Sequence, residues 1–440
     1  MQTSPMAQIR PFRALRYDTQ QVAAASVITQ PYDKITPAMQ DGYYAASPYN
    51  LVRIILGRRE AADTASNSVY TRAASHFQQW RKSAILRQDQ KPSLYVYSQR
   101  FDAPGSSQPC ERRGFIALGR LEDYSAAVVH RHEQTLAKPK ADRLDLLRST
   151  RAHFGQIFML YEDSGEVDAQ LEAACSAEPL FELLDQYQVL NRLWQVSDPS
   201  VLASVAEAMR EKKLVIADGH HRYETALTYR DECRAVQPAA AELASDFVMM
   251  TLVNMTSPGL VILPTHRVVH SLASFSAEEF RSAASKFFCV EEVDPAVDTT
   301  RSAAILRQAG RVEPALLAVT AHAAFLIHKL KPAAAPLLAS LSLRQQYLDV
   351  TQLHRVLLET VLELSEESIR NQQNISYVRD SSEAIGMVRG QAQPANIAFL
   401  MNPCRVAQVR DIAFAGDVMP QKSTDFYPKL LSGLAVYALD

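Results

Sequence analysis

Ala217-Asp218-Gly219-His220-His221-Arg222-Tyr223-Glu224-Thr225-Ala226-Leu227 places an acid, a glycine, two imidazoles and a guanidinium side by side. Leu214-Val215-Ile216-Ala217 is a short apolar β-type run, while Tyr223, Ala226, Leu227 and Arg230 recur at helical spacing, so the polar residues occupy a strand-to-helix turn. Free backbone N–H groups and the positive end of a helix dipole converge at such a turn, which suits a phosphate or a carboxylate. Gly219 admits a ligand close to the backbone and permits a left-handed turn. Asp218 is placed to cap the helix. His220, His221 and Arg222 add donors, the guanidinium as a planar fork matched to phosphate. An ordinary Asp-Gly turn with exposed histidines would read similarly, but two adjacent histidines plus an arginine exceed what a cap requires.

Three further sets carry comparable chemistry. Val128-Val129-His130-Arg131-His132-Glu133-Gln134-Thr135 leads from an apolar stretch into a polar cluster followed by Lys138, Lys140, Asp142 and Arg143. Glu133 can accept a proton from a substrate hydroxyl while Lys138 or Arg143 neutralises a phosphate, since phosphoryl transfer needs positioning and charge stabilisation above all. The same residues also read as a solvated loop in which Glu133 pairs with neighbouring cations. His266-Arg267 and the group Lys422, Ser423, Thr424 and Lys429 combine cationic donors with hydroxyls. A dedicated zinc site is disfavoured, because adjacent histidines rarely share one ion and His132-Glu133 has no histidine at position 136. A magnesium ion carried by a nucleotide and held through Asp218 or Glu133 needs only one or two carboxylates.

The string A-D-G-H-H-R-Y-E-T-A-L resembles a recurring block of a bacterial family known as domain of unknown function 1015. Pro11 to Tyr17, Gln30-Pro31-Tyr32-Asp33, Arg131 to Thr135, Pro258 to Arg267 and Met419 to Lys429 resemble its other blocks, so the similarity spans nearly the whole chain. More distantly, the strand, D-G-H-H-R turn and helix resemble the core of the ParB and sulfiredoxin superfamily, which includes nucleotide-binding switches and free serine kinases. Family members often accompany enzymes of phosphoserine synthesis, which favours the kinase branch.

The elements that must hold these residues follow from pattern. At 440 residues, 47% hydrophobic and 21% charged, the chain has the composition of a soluble globular protein of two or three domains. A formal net charge of -2 disfavours binding nucleic acid through a generally basic surface. Five scattered cysteines without C-x-x-C spacing, no signal-type N-terminus and no long apolar run point to a cytoplasmic protein. Neither G-x-G-x-x-G nor G-x-x-x-x-G-K-[ST] occurs. Leu51 to Leu56, Gly114 to Leu118, Gln156 to Tyr161 and Phe247 to Val253 read as strands, Asp198-Pro199 and Ser276-Ala277-Glu278-Glu279 start helices, and Asp349 to Leu364 has a helical pattern.

These readings predict a mixed α/β (α+β) fold with a ParB/sulfiredoxin-like core elaborated by large insertions. An N-terminal domain over 1–235 carries both polar clusters, and a C-terminal α/β region covers 236–440, with a linker-like stretch at 331–336. The expected activity is transfer of phosphate from ADP, ATP or CTP, with magnesium, to a small hydroxyl compound, L-serine being the best single match. Glu133, Asp218 and His220 are the catalytic candidates, and Gly219, His221, Arg222, Lys138, Arg143, His266, Arg267, Lys422, Ser423, Thr424 and Lys429 the phosphate-binding ones. The alternatives are a nucleotide-binding switch and a metal-dependent phosphohydrolase.

Overall fold

Nine strands of the first half of the chain form one mixed sheet in a computed structural model that describes residues 6–104, 108–133, 137–390 and 394–440. In chain order they are β1 (Ile9–Arg10), β2 (Leu94–Asp102), β3 (Pro109–Arg120), β4 (Val129–His130), β5 (Ile157–Tyr161), β6 (Phe181–Leu184), β7 (Leu190–Val196), β8 (Leu214–Asp218) and β9 (Phe247–Asn254). Their spatial order is β4-β8-β5-β9-β3-β2-β7-β6, with β1 added to β3. β4 runs parallel to β8 and β5 parallel to β9, while the other neighbours are antiparallel. Every residue of β9 is buried, and its sequence is apolar apart from Thr251 and Asn254, as suits a strand with both faces covered.

Helices α1 (Ala137–Thr150), α2 (Pro199–Met209) and α3 (His220–Val236) belong to the same half. Asp198 accepts hydrogen bonds from the Ser200 and Val201 amides, so the Asp-Pro start of α2 forms as its sequence indicates. Val205 and Met209 of α2, Tyr223 and Ala226 of α3 and the inner face of the sheet, including Phe115, Met159, Ile216 and Met250, make one core. Leu51 to Leu56 departs from its strand-like sequence: Val52–Ile55 is a turn of helix, closed by Asn50 Oδ1 accepting from the Val52 amide at 3.0 Å. This local side-chain-to-backbone bond, made by the residue before the N-cap Leu51, competes with strand formation.

Six more strands form a second, wholly antiparallel sheet: β10 (His266–Val269), β11 (Phe288–Val293), β12 (Ala315–Val319), β13 (Ala324–Leu330), β14 (Ile375–Val378) and β15 (Ile397–Met401), in the order β11-β13-β12-β15-β10-β14. Ser276 caps a helix over Ala277–Ala284 by accepting from the Glu279 amide. Asp349–Gln352 is α-helical, but Leu353–Val361 widens into a π-helix, a change that period alone does not reveal.

The fold is mixed α/β. Its two compact units differ in extent from the halves read from sequence: the first comprises Met1–Arg131, Thr135–Val261 and Phe426–Asp440, the second His132–Gln134 and Ile262–Asp425. A boundary at 235 would cut β9 away from β5 and β3, its partners in the sheet. The linker-like residues 331–336 instead lie inside the second unit, where Pro332–Ala334 and Ala335–Leu338 are helical and Ala334 and Leu338 are fully buried. No helix among the described residues is long and apolar enough to cross a membrane.

Candidate functional site

The polar turn of the first unit begins where β8 loses register with β5, between Ile216 and Asp218. An irregularity of this kind re-aims the side chain at a strand end. Gly219 then adopts φ 96° and is the N-cap of α3, a residue with no side chain to offer the amides of the first turn. A β-carbon at Gly219 would lie 3.0 Å from the Arg222 guanidinium, so glycine serves both the left-handed backbone and the close approach of Arg222.

Asp218 does not cap the helix, contrary to its sequence reading. Its Oδ2 accepts a hydrogen bond from Lys429 Nζ at 3.0 Å, and its Oδ1 lies 3.9 Å from Arg222 Nη2. Burial disfavours the carboxylate, but Lys429, Arg222 and also Lys34 together outweigh that penalty and hold Asp218 far below the usual carboxylate range. The surrounding cations favour the charged form of Asp218, which suits it to orienting a cation or a donor. Three cations act on this one carboxylate at a helix start whose N-cap is glycine. Positive charge and a helix N-terminus both favour an anion.

Arg222 donates to the Gln156 carbonyl and packs on Gly155 and Gly219. His220 is buried and His221 half-buried at the start of α3. A cavity of about 70 Å³ opens beside Arg222, lined among others by Tyr32, Arg143, Phe154 and Thr225. It is about half the size of an engineered cavity that holds benzene, so it admits a small group and not a nucleobase. Arg143 donates to Asp142 and to the Ile55 carbonyl and stacks over the Tyr32 ring at 4.1 Å, which makes it a wall of this cavity. Lys34, which follows Gln30-Pro31-Tyr32-Asp33, is a member of the charge cluster that sequence reading passed over. Its only signal was adjacency to that block.

Within the second unit, Glu133 Oε1 accepts from the Ser423 amide at 3.0 Å, the Thr424 amide at 3.2 Å and Thr424 Oγ1 at 3.2 Å. Among the described residues no hydrogen bond reaches Glu133 Oε2. His132 is fully buried, and its Nε2 lies 2.7 Å from Thr424 Oγ1. Arg267, also buried, donates to the carbonyls of Thr265, Gln421 and Lys422 and lies over the Tyr377 ring at 5.3 Å. The chain around Ser423 is thus held from two sides, by Glu133 at its amides and Arg267 at its carbonyls. Lys422 is exposed, with φ 59°.

His266 differs from its expected role. Its Nδ1 accepts from the Met401 amide at 3.1 Å, and burial together with the adjacent Arg267 pushes it down to about 4. It is a neutral ring inside β10 that joins β10 to β15. The side chain of Lys138, and Gln134 and Thr135 entirely, lie outside the described residues. Among the described residues no group of three or more His, Cys, Asp or Glu could hold a metal ion. A divalent ion here would need phosphate oxygens as well as Asp218.

The sequence profile described as "Protein of unknown function (DUF1015)" matches residues 9–351. The chain belongs to the DUF1015 family. Among curated proteins nothing matches it. Among solved structures, a free serine kinase variant in complex with ADP is similar at 12% identity and a TM-score of 0.37, covering 74% of this chain and 92% of that one. A free serine kinase in complex with AMP is similar at 13% identity and a TM-score of 0.34, over 68% of this chain and 83% of that one. SbnI from Staphylococcus aureus, with a C-terminal truncation, gives 8% identity and a TM-score of 0.34 over 72% and 85%. With TM-scores below 0.5, none of the three decides a fold or an activity for this DUF1015 chain.

Proposed function

We propose that this DUF1015 protein is a nucleotide-dependent phosphotransferase acting on a small hydroxyl compound, with L-serine the best candidate and O-phosphoserine the product. The observation that carries the reading is the Asp218–Lys429 pair, set with Arg222 and Lys34 at the left-handed start of α3. Positive charge gathered around a glycine-capped helix start is what a nucleoside di- or triphosphate needs. Gly219 admits the phosphates, His220, His221 and Arg222 stabilise the charge in transfer, and Asp218 orients the acceptor or a phosphate-borne magnesium ion.

The acceptor's proton is assigned to Glu133, whose Oε1 is immobilised by three donors and whose Oε2 receives no bond among the described residues. A carboxylate fixed through one oxygen presents the other for proton transfer. In the overall step the acceptor oxygen forms a bond to the terminal phosphorus, the bridging P–O bond breaks, the nucleotide leaves one phosphate shorter, and Glu133 takes the hydroxyl proton.

The same three bonds favour a second reading, a nucleotide-binding switch in which Glu133 holds residues 423–424 and transfers nothing. Incubating the protein with magnesium and ADP, ATP or CTP, with and without L-serine, separates the two. Phosphoserine found by mass spectrometry, with nucleotide consumption that rises with serine, supports the kinase. Nucleotide binding without a response to serine supports the switch, and no binding at all removes both.

A further inference from the structure

We infer that Arg112 is a positioning residue that aims Lys429 at Asp218, acting through the backbone of residues 427–429. Asn191, Gln99 and Arg112 are direct cross-strand partners on β7, β2 and β3, so their side chains form one polar row on a single face of the sheet. All three are buried. Arg112 donates to Gln99 Oε1 and to the carbonyls of Tyr427, at 3.3 Å, and Pro428. Gln99 Nε2 donates to the Lys429 carbonyl at 3.0 Å and to Asn191 Oδ1 at 3.1 Å. Three consecutive carbonyls, those of Tyr427, Pro428 and Lys429, are thereby captured by one row, and the Tyr97 hydroxyl completes it by donating to Asn191 Oδ1.

A buried guanidinium is a costly way to hold neutral carbonyls, since burial disfavours its charge, and here burial pushes Arg112 down to about 10. Among the described residues Arg112 makes no ion pair, and its face lies over the Phe158 ring at 4.8 Å. An apolar side chain would fill the same space without that penalty. What the guanidinium adds is a fork that fixes two adjacent carbonyls at once. With the backbone pinned on either side of its Cα, the long Lys429 side chain is confined to directions that reach Asp218. Asp218 in turn contributes to keeping Arg112 charged. The lysine that completes the anion site is thus held by residues none of which was singled out by its own reactivity.

This inference rests on the reading of the Asp218 turn as a nucleotide phosphate site, and its test keeps the two apart. In the full-length protein, acetylation of Lys429 by acetic anhydride, followed by peptide mass spectrometry, reports how accessible its amine is without any ligand. Wild type should label slowly at Lys429, and Arg112→Met and Gln99→Met should label it several-fold faster, with labelling of exposed Lys422 unchanged. ADP affinity in magnesium should fall by about tenfold in Arg112→Met and in Lys429→Met, and the double variant should be no weaker than either, because coupled residues do not add. Arg112→Lys keeps the charge but not the fork, and should resemble Arg112→Met. Unchanged Lys429 labelling in Gln99→Met and in whichever Arg112 variants fold overturns the inference. So do independent, additive losses of affinity in the double variant. Faster labelling in a protein that binds no ADP would uphold the positioning role and discard the nucleotide reading.

Discussion

Lys429 Nζ meets Asp218 Oδ2 at 3.0 Å although 211 residues separate them in the chain. The pair sits at the start of α3 beside Arg222, and it ties the last segment of the first unit to the D-G-H-H-R turn. Arg222 and Lys34 act on the same carboxylate, so three cations converge on Asp218. Ligand binding is where this arrangement shows its effect.

Lys429→Met is expected to weaken ADP binding by about tenfold, equivalent to about 1.4 kcal/mol, while Asp218→Asn binds magnesium-free ADP at least as well as wild type. Asp218→Asn should also lose the gain in affinity that magnesium brings. Isothermal titration with and without magnesium checks both. Equal affinity in wild type and Lys429→Met would remove Lys429 from the site.

Gly219→Ala is expected to lower stability by about 1–2 kcal/mol through left-handed strain and to lower ADP affinity as well, because the added methyl meets Arg222 at 3.0 Å. Gly165→Ala is the control. Its φ is 101°, with nothing within 4 Å of the new carbon, so urea denaturation should show a comparable loss of stability and titration no loss of binding.

Glu133→Gln separates base from latch. Glutamine keeps an oxygen for the Ser423 and Thr424 amides but cannot take a proton, so a base role predicts a folded protein with turnover lowered by about 10²–10⁴-fold. Wild-type turnover in this variant would leave Glu133 the latch alone.

His266 titrates at about 4 against an ordinary 6.5, because burial and Arg267 oppose its charge. The unfolded chain therefore binds one more proton than the folded one between these values, and stability is full above 6.5 and lost as pH falls toward 4. The slope from this one group is at most about 1.4 kcal/mol per pH unit. His266→Asn, whose Oδ1 stands where Nδ1 accepts from the Met401 amide, should reduce that slope in chemical denaturation at pH 4 to 7. An unchanged slope would show that His266 protonates equally in both states.

Features governed by neighbours within a few residues were legible before any fold was known. The left-handed Gly219, the caps at Asp198 and Ser276, and the strand-turn-helix around Asp218 all depend on backbone geometry that nearby residue types impose. Leu51 to Leu56 forms a helical turn in place of a strand because the Asn50 side chain bonds the Val52 amide, whereas the helical pattern of Asp349 to Leu364 is met, with Leu353–Val361 as a π-helix. Asp218 was legible as a candidate acid but not as the partner of Lys429, and His266 was legible as a candidate but not as a neutral buried acceptor.

Sequence alone pointed to the family, through the resemblance of its motif blocks, and to the mixed α/β class and the strand-turn-helix with its left-handed glycine, since those elements rest on short-range geometry and residue chemistry. Tertiary structure supplied the rest: which lysine completes the turn, that Lys34 joins it, that Glu133 holds residues 423–424, and that Asn191, Gln99 and Arg112 stand in one row. Those facts follow from strand register and chain return across hundreds of residues, and the distance between two charges, on which their interaction depends, exists only once the chain has folded.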